Sequence, residues 1–227
     1  SSLTFLKQLP ALTIKIDQSF IRQMLEDAEQ LVIVESVISL ARRFERNVIA
    51  EGVETVVHGL FLSALGCRQA QGYGIARPMP AEQVVNWTAH WVAPSCWQQV
   101  LRLDDEGMHG LIALVEHHQW YQSVKAGTPN QLDSPLGGSC RLEHWLTQDR
   151  VAERYQGHAL YQQARHTHHQ LHHALAHLQH AVADRLSLRL QQQLMQLLLG
   201  PVVHHLDHSD LVMGSLSTLI ALDDGAG

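Results

Sequence analysis

Asn47-Val48-Ile49-Ala50-Glu51-Gly52-Val53-Glu54 is the stretch around which the first hundred residues are organised. An apolar run leads into an acid, a glycine, a valine and a second acid. A parallel strand buried on both faces carries such a run, and it ends where Glu51 reaches the strand's carboxyl edge and Gly52 lets the chain turn. Upstream, Leu12-Thr13-Ile14-Lys15-Ile16-Asp17 reads as another strand ending in charge. Downstream, Cys67 to Gln71 leads into Gly72-Tyr73-Gly74. Three strands in series, each delivering a polar residue near its carboxyl end, place a site on one rim of an α/β fold.

The segments between them are helical by period. Gln30 to Phe44 carries Leu31, Val34, Val37, Ile38 and Ala41 on one stripe, and Val56 to Leu65 is closed by Gly66 as a C-cap. Gln18 to Asp27 is a loop or short helix, and Ala81 to Trp91 is a helix with a proline just before it. Ser1 to Leu9 reads as a helix already under way, stopped by Pro10. Three parallel strands alone leave broad apolar faces and an open edge. The sequence is therefore expected to be part of a longer chain whose remainder lies upstream.

The 227 residues have a formal charge of −6 with His neutral and no block of Lys or Arg, which speaks against a nucleic-acid polymer as partner. Cys67, Cys96 and Cys140 are odd in number and scattered, as expected in a reducing compartment. The apolar runs are too short for a membrane span, so no membrane contact is expected of this segment. Seventeen His stand out, eight of them between His158 and His180.

Lys15-Ile16-Asp17, Ala50-Glu51-Gly52-Val53-Glu54 and Gln71-Gly72-Tyr73, followed by Arg77-Pro78-Met79-Pro80, resemble the closing third of an EAL domain, the family of bacterial phosphodiesterases acting on cyclic diguanylate (cyclic di-GMP). The resemblance covers about residues 1–91 and implies the last three strand–helix units of a modified (β/α)8 TIM barrel, truncated here. The Glu-Ala-Leu signature, the acids of the middle strands and the Asp-Asp pair of the fifth strand are absent. That pair falls, in the family, just ahead of a Ser-Ser like Ser1-Ser2.

Phosphodiester cleavage needs neutralised nonbridging oxygens, an activated water and a stabilised leaving oxygen, which two divalent ions on hard carboxylate ligands supply. The resemblance implies two Mg²⁺ or Mn²⁺ in the complete barrel, with Glu51 as a metal ligand. It implies Lys15 at the attacking water, Gln71 in the metal–water shell, and Glu54 stabilising a neighbouring loop. It also implies a bacterial cytoplasmic protein, a homodimer formed through the barrel, and cyclic di-GMP as substrate. A membrane segment upstream is left open. From the residues alone, Lys15 and Glu51 also read as a rim ion pair. The alternative is a degenerate EAL remnant that binds cyclic di-GMP or a protein without turnover. The fragment itself is expected to be inactive, because most metal ligands are missing.

From Leu103 onward no strand is evident. Leu111, Leu114, Val115, Trp120, Tyr121 and Val124 make a long amphipathic helix, Gly127 to Gly138 a loop, and Cys140 to Leu146 a short helix. Gly157 to about Leu190 reads as one long helix. Another spans Leu188 to Leu199, ending at Gly200-Pro201, and a last one reaches about Leu219. Such helices form an all-α antiparallel bundle. The expected division is 1–92, a linker at 93–102, and the bundle at 103–221.

At 100° per residue from Leu171, His168 falls near 60° and His172 near 100°, on the shoulder of the buried seam. His169 and His173 fall between about 160° and 200°, toward solvent. His117 with Trp120, then Cys140-Arg141-Leu142-Glu143-His144-Trp145, then His168 and His172 resemble the chemoreceptor zinc-binding (CZB) four-helix bundle, over about residues 105–180. The resemblance implies one Zn²⁺ held by His117, Cys140, His168 and His172. Glu143 stands where that family usually has Gly, and the spacing from His117 to Cys140 is somewhat short. His118 shares a stripe with Leu111 and Val115, whereas His117 shares one with Ala113, Trp120 and Val124; the motif position decides for His117. Four protein ligands leave no open position, which suits a structural or sensory zinc. His204 and His208 form a further i,i+4 pair.

Overall fold

Thr13–Ile16 (β1), Asn47–Glu51 (β2) and Gln69–Gln71 (β3) form a parallel sheet in the order β1-β2-β3. The computed structural model describes residues 11–126, 140–177 and 180–200. The chain is mixed α/β, mostly helical, and divides into two compact units with the main boundary between Arg102 and Leu103.

In the first unit the strands are joined by α1 (Gln18–Gln23), α2 (Ala28–Arg43) and α3 (Val56–Leu65), and followed by α4 (Ala81–His90). Asp17 caps α1, its Oδ1 accepting from the Ser19 backbone N–H at 2.8 Å. Leu31, Val34, Ile38 and Ala41 of α2 are buried, as their spacing requires. Thr55 caps α3 and Gly66 ends it at φ 88°, where a side chain is disfavoured. Register pairs Ile16 with Ala50 and Glu51 with Gln71.

One expectation is corrected here. In β2 only Ala50 is buried, and Val48 and Ile49 are half-buried. A parallel strand is sealed on both faces only when neighbouring layers cover both, and the described elements do not cover this sheet that far. Residues 93–102, expected as a linker, include a short helix, α5 (Ser95–Gln99), whose Trp97 donates Nε1–H to the Val56 carbonyl at 2.7 Å. A Cβ on Gly59 would lie 2.1 Å from that indole, so Gly59 is what lets Trp97 seat against α3.

The second unit contains α6 (Asp105–Lys125), α7 (Arg141–Thr147), α8 (Asp149–Tyr155), α9 (Ala159–Ala176) and α10 (His180–Leu199). The single helix expected over 157–190 is instead a hairpin: α9 ends at Ala176 and α10 starts at His180, and the two pack along their length. Nothing in Ala176 to His180 is a breaker residue. Folding back lets the apolar side of α9 (Tyr161, Ala164, Leu171) and that of α10 (Ala183, Leu190, Leu194) leave water together. Each such Leu is worth roughly 1.5–3 kcal/mol on full burial, far more than the lost turn of helix.

Helix α6 packs on α7 and α10. A Cβ on Gly110 would lie 2.5 Å from the Trp145 ring, so this glycine admits the indole, whose Nε1 donates to the Glu106 carbonyl at 3.2 Å. Across the α6–α10 contact, Tyr121 Oη and Lys125 Nζ both donate to Asp184 Oδ1 at 2.8 Å. The opening helix before Pro10, the loop 127–138, His204 with His208, and the helix toward Leu219 lie outside the described residues.

Candidate functional sites

Alternation along a strand sends Ile49 and Glu51 to the same face, and register puts Lys15 beside Ile49 and Gln71 beside Glu51. The three polar side chains therefore meet at the carboxyl end of the sheet. The Lys15 ammonium is ion-paired with Glu51 Oε1, and Gln71 Nε2 donates to the same oxygen at 3.3 Å. Gly52, at φ 77°, turns the chain away from β2; a Cβ there would lie 2.5 Å from Gln18 Cβ. Glu54 stands apart from this trio and pairs with Arg22 Nε of α1 at 2.8 Å, tying the turn after β2 to that helix. Arg22 carried no signal in the sequence, because its pairing joins two segments 32 residues apart.

One carboxylate, already engaged by an ammonium and an amide, does not make a site for two divalent ions. Among the described residues no group of three or more His, Cys, Asp and Glu gathers at this end of the sheet.

The second unit does gather one. His117 comes from α6, Cys140 immediately precedes α7, and His168 and His172 lie one turn apart on α9. Their ligand atoms all fall within 4.8 Å of one another. His168 Nε2 is 3.3 Å from Cys140 Sγ and 3.1 Å from His172 Nε2, which is 3.2 Å from His117 Nε2. A tetrahedral ion with metal–nitrogen bonds of about 2.0–2.1 Å spaces its ligand nitrogens ~3.3 Å apart. Two of the three nitrogen pairs lie near that spacing, with the sulfur beside them, an arrangement that fits such an ion.

Burial drives the electrostatics. It pushes His168 and His172 down to about 4 and His117 well below its ordinary value, with neighbouring imidazoles adding to the shift. All three are neutral near pH 7, the form that donates a lone pair to a metal. Burial also pushes the Cys140 thiol up. A metal would have to displace its proton.

His118, the other reading of the first ligand, is buried elsewhere: its Nδ1 meets Gln191 Nε2 at 2.5 Å and its Nε2 meets Gln122 Nε2 at 3.4 Å. His169 and His173 are exposed. Sequence reasoning undervalued two neighbours of the cluster. Trp120 stacks on His172 at 5.1 Å with an interplanar angle of 5° and lies 5.3 Å from His117. Glu143, which entered only as a departure from a motif, puts Oε2 2.8 Å from His168 Nδ1. Its i+3 spacing from Cys140 on one helix face was the available signal.

Residues 1–78 match the EAL domain family. The bifunctional diguanylate cyclase/cyclic di-GMP phosphodiesterase MucR of Pseudomonas aeruginosa is 45% identical over 85 residues, covering 37% of this chain and 12% of that protein. A second cyclic di-GMP phosphodiesterase of the same organism is 43% identical over 89 residues, 38% of this chain and 15% of that one. The oxygen sensor protein DosP of Escherichia coli is 39% identical over 87 residues, 38% and 11%. A solved cyclic di-GMP complex of the PaMucR phosphodiesterase aligns with 45% identity and a TM-score of 0.36, covering 37% of this chain and 34% of that one. The chain thus spans between a tenth and a sixth of the length of these curated relatives.

Proposed function

We propose that residues 1–92 are the closing part of an EAL-type barrel that hydrolyses cyclic di-GMP to the linear dinucleotide, and that residues 103–221 form a zinc-binding regulatory bundle. The observation that carries the first part is the meeting of Lys15, Glu51 and Gln71 at one strand end within a segment matching the EAL family. Lys15 and Gln71 hold one oxygen of Glu51 and orient its carboxylate at the rim. The remaining carboxylates for a divalent-metal pair, Mg²⁺ or Mn²⁺, have to come from other strands of a complete barrel.

The four converging ligands support the second part. One thiolate and three imidazoles suit Zn²⁺ and not Mg²⁺ or Ca²⁺. A bound Zn²⁺ would join α6, α9 and the start of α7 and hold them in one arrangement. With four protein ligands there is no position for substrate, so its role is structural or sensory. The homodimer through the barrel and the cytoplasmic setting belong to the same proposal.

The test is hydrolysis of cyclic di-GMP by the longer protein that carries this chain, followed as release of the linear dinucleotide. Turnover supports the enzyme. Tight nucleotide binding with no turnover assigns the barrel instead to a binding module, in which Lys15 and Glu51 are simply a rim ion pair.

A further inference from the structure

Glu143 places its carboxylate against a ligand imidazole of the four-residue cluster. We propose that Glu143 is a positioning residue of the metal site: it fixes the His168 tautomer, aims its Nε2 at the ion, and thereby sets how tightly the metal is held. The inference rests on the zinc reading and deepens it.

A neutral imidazole carries one proton, and which nitrogen holds it is decided by the partner of the other. His168 Nε2 faces Cys140 Sγ and His172 Nε2, so that nitrogen must be the unprotonated donor if an ion sits among them. Its Nδ1 faces Glu143 Oε2 at 2.8 Å. His168 Nδ1 is buried and makes no aligned hydrogen bond, so the carboxylate 2.8 Å away is the group at hand to accept its proton. Once aligned, it would leave the lone pair on Nε2 and make that lone pair more basic. His168 itself is only 2% exposed, so solvent is a poor substitute for this partner.

Charge argues the same way. A divalent ion with one thiolate and three neutral imidazoles leaves one positive charge among buried rings, and an adjacent carboxylate offsets it. Glu116, another acid close to Cys140, is paired with Arg141. Glu143 lies on α7 three residues after Cys140, so the helix that starts at the sulfur ligand also carries the group that orients His168. Its side chain is 54% exposed, so its removal should leave the fold intact.

The experiment uses the whole chain, stripped of metal by chelator dialysis, as wild type and as Glu143→Gln, Glu143→Ala and Glu143→Asp. Zn²⁺ affinity is read by competition with a chromogenic chelator, and Co²⁺ replaces Zn²⁺ for visible spectra. Wild type is expected to take up one Zn²⁺. Glu143→Ala should weaken affinity about 10–100-fold. Glu143→Gln keeps an acceptor for Nδ1–H but no charge and should fall in between, while Glu143→Asp should recover most of the loss. The thiolate-to-cobalt band should persist in all four, since Cys140 still ligates, and the metal-free melting temperatures should coincide. Affinity of Glu143→Ala within twofold of wild type overturns the role of Glu143 and leaves the zinc reading standing. An affinity loss matched by an equal loss of metal-free stability makes Glu143 structural and also overturns it. A wild-type chain that takes up no zinc overturns the zinc reading and this inference with it.

Discussion

Glu51 receives Lys15 and Gln71 on one oxygen, so the three side chains act as a unit whose members are not equivalent. In the complete barrel proposed above, Glu51→Ala or Lys15→Ala should lower cyclic di-GMP turnover about 100-fold or more, since each would act where charge develops or a nucleophile is set. Gln71→Ala should cost less, because its one contact, at 3.3 Å, orients the carboxylate without replacing it. Near-normal rates for both charged-residue variants would reduce the trio to a surface ion pair. His117 and His118 show what a single residue's sequence position can and cannot say. Helical stripes alone left both open, because α6 has neighbours on two sides, and both imidazoles are buried. Motif position favoured His117, and in the structure the two imidazoles point apart, one toward His172 and the other toward Gln191. His118→Ala should therefore keep zinc while destabilising the chain by about 1–3 kcal/mol, the cost of stranding a buried amide. Cys140→Ala should lose the metal, and His169→Ala or His173→Ala should not. Metal content after dialysis and thermal melts separate these cases.

Strand ends and helix caps were the elements most legible in the sequence. Lys15, Glu51 and Gln71 fell at carboxyl edges because polar residues after apolar runs mark them, and Gly66 closed α3 because only a left-handed residue ends a helix that way. The break between α9 and α10 was not legible. Local propensity across Ala176 to His180 favours helix, and what overrides it is the contact between two faces that only three-dimensional packing brings together. The embedding of Trp97 was hidden for the same reason: its partner Gly59 is remote in sequence and looks like an ordinary weak helix residue. At the start of α6, Asp104 Oδ1 accepts from the Gly107 backbone N–H at 2.9 Å, and its other oxygen takes Arg154 at 2.5 Å. Arg154 first, and the Gly107 N–H second, hold the Asp104 carboxyl below its ordinary value. A depressed carboxyl contributes stability that is fully present above its unfolded pKa of about 3.9 and is lost as pH falls through the folded one. Asp104→Ala should thus cost about 1 kcal/mol at pH 7, and the gap from wild type should narrow below about pH 4. Asp104→Asn should recover much of the cap at neutral pH. Denaturant melts across that range decide it; a pH-independent gap would mean that packing, not the cap, was lost.

The whole molecule joins two units whose chemistries differ in the hardness of their ligands. The first presents oxygens and an ammonium at a strand end, and the second a cysteine sulfur and imidazoles among helices. Because His117, Cys140 and the His168–His172 pair come from segments that are far apart in sequence, binding of the proposed Zn²⁺ would be linked to folding of the second unit. Free Zn²⁺ at a hundred times its dissociation constant should add about 2.7 kcal/mol to that unit's stability, and chelation should remove it. A melting temperature indifferent to zinc and chelator would contradict the linkage. The hard-ligand unit carries the opposite expectation, that the 227-residue chain has no phosphodiesterase activity of its own. Two-metal hydrolysis needs carboxylates enough to hold both ions and to leave one water poised. Among the described residues the strand ends contribute Glu51 to such a set, while Asp17 is engaged as the cap of α1 and Glu54 is paired with Arg22. Adding Mg²⁺ or Mn²⁺ to the purified chain should therefore release no linear dinucleotide from cyclic di-GMP. The longer protein, assayed in parallel, should do so only while Glu51 and Lys15 are intact. Turnover by the chain alone, abolished by Glu51→Ala, would mean that these residues hold a sufficient metal site, and the division of labour proposed between this segment and the rest of the barrel would fall.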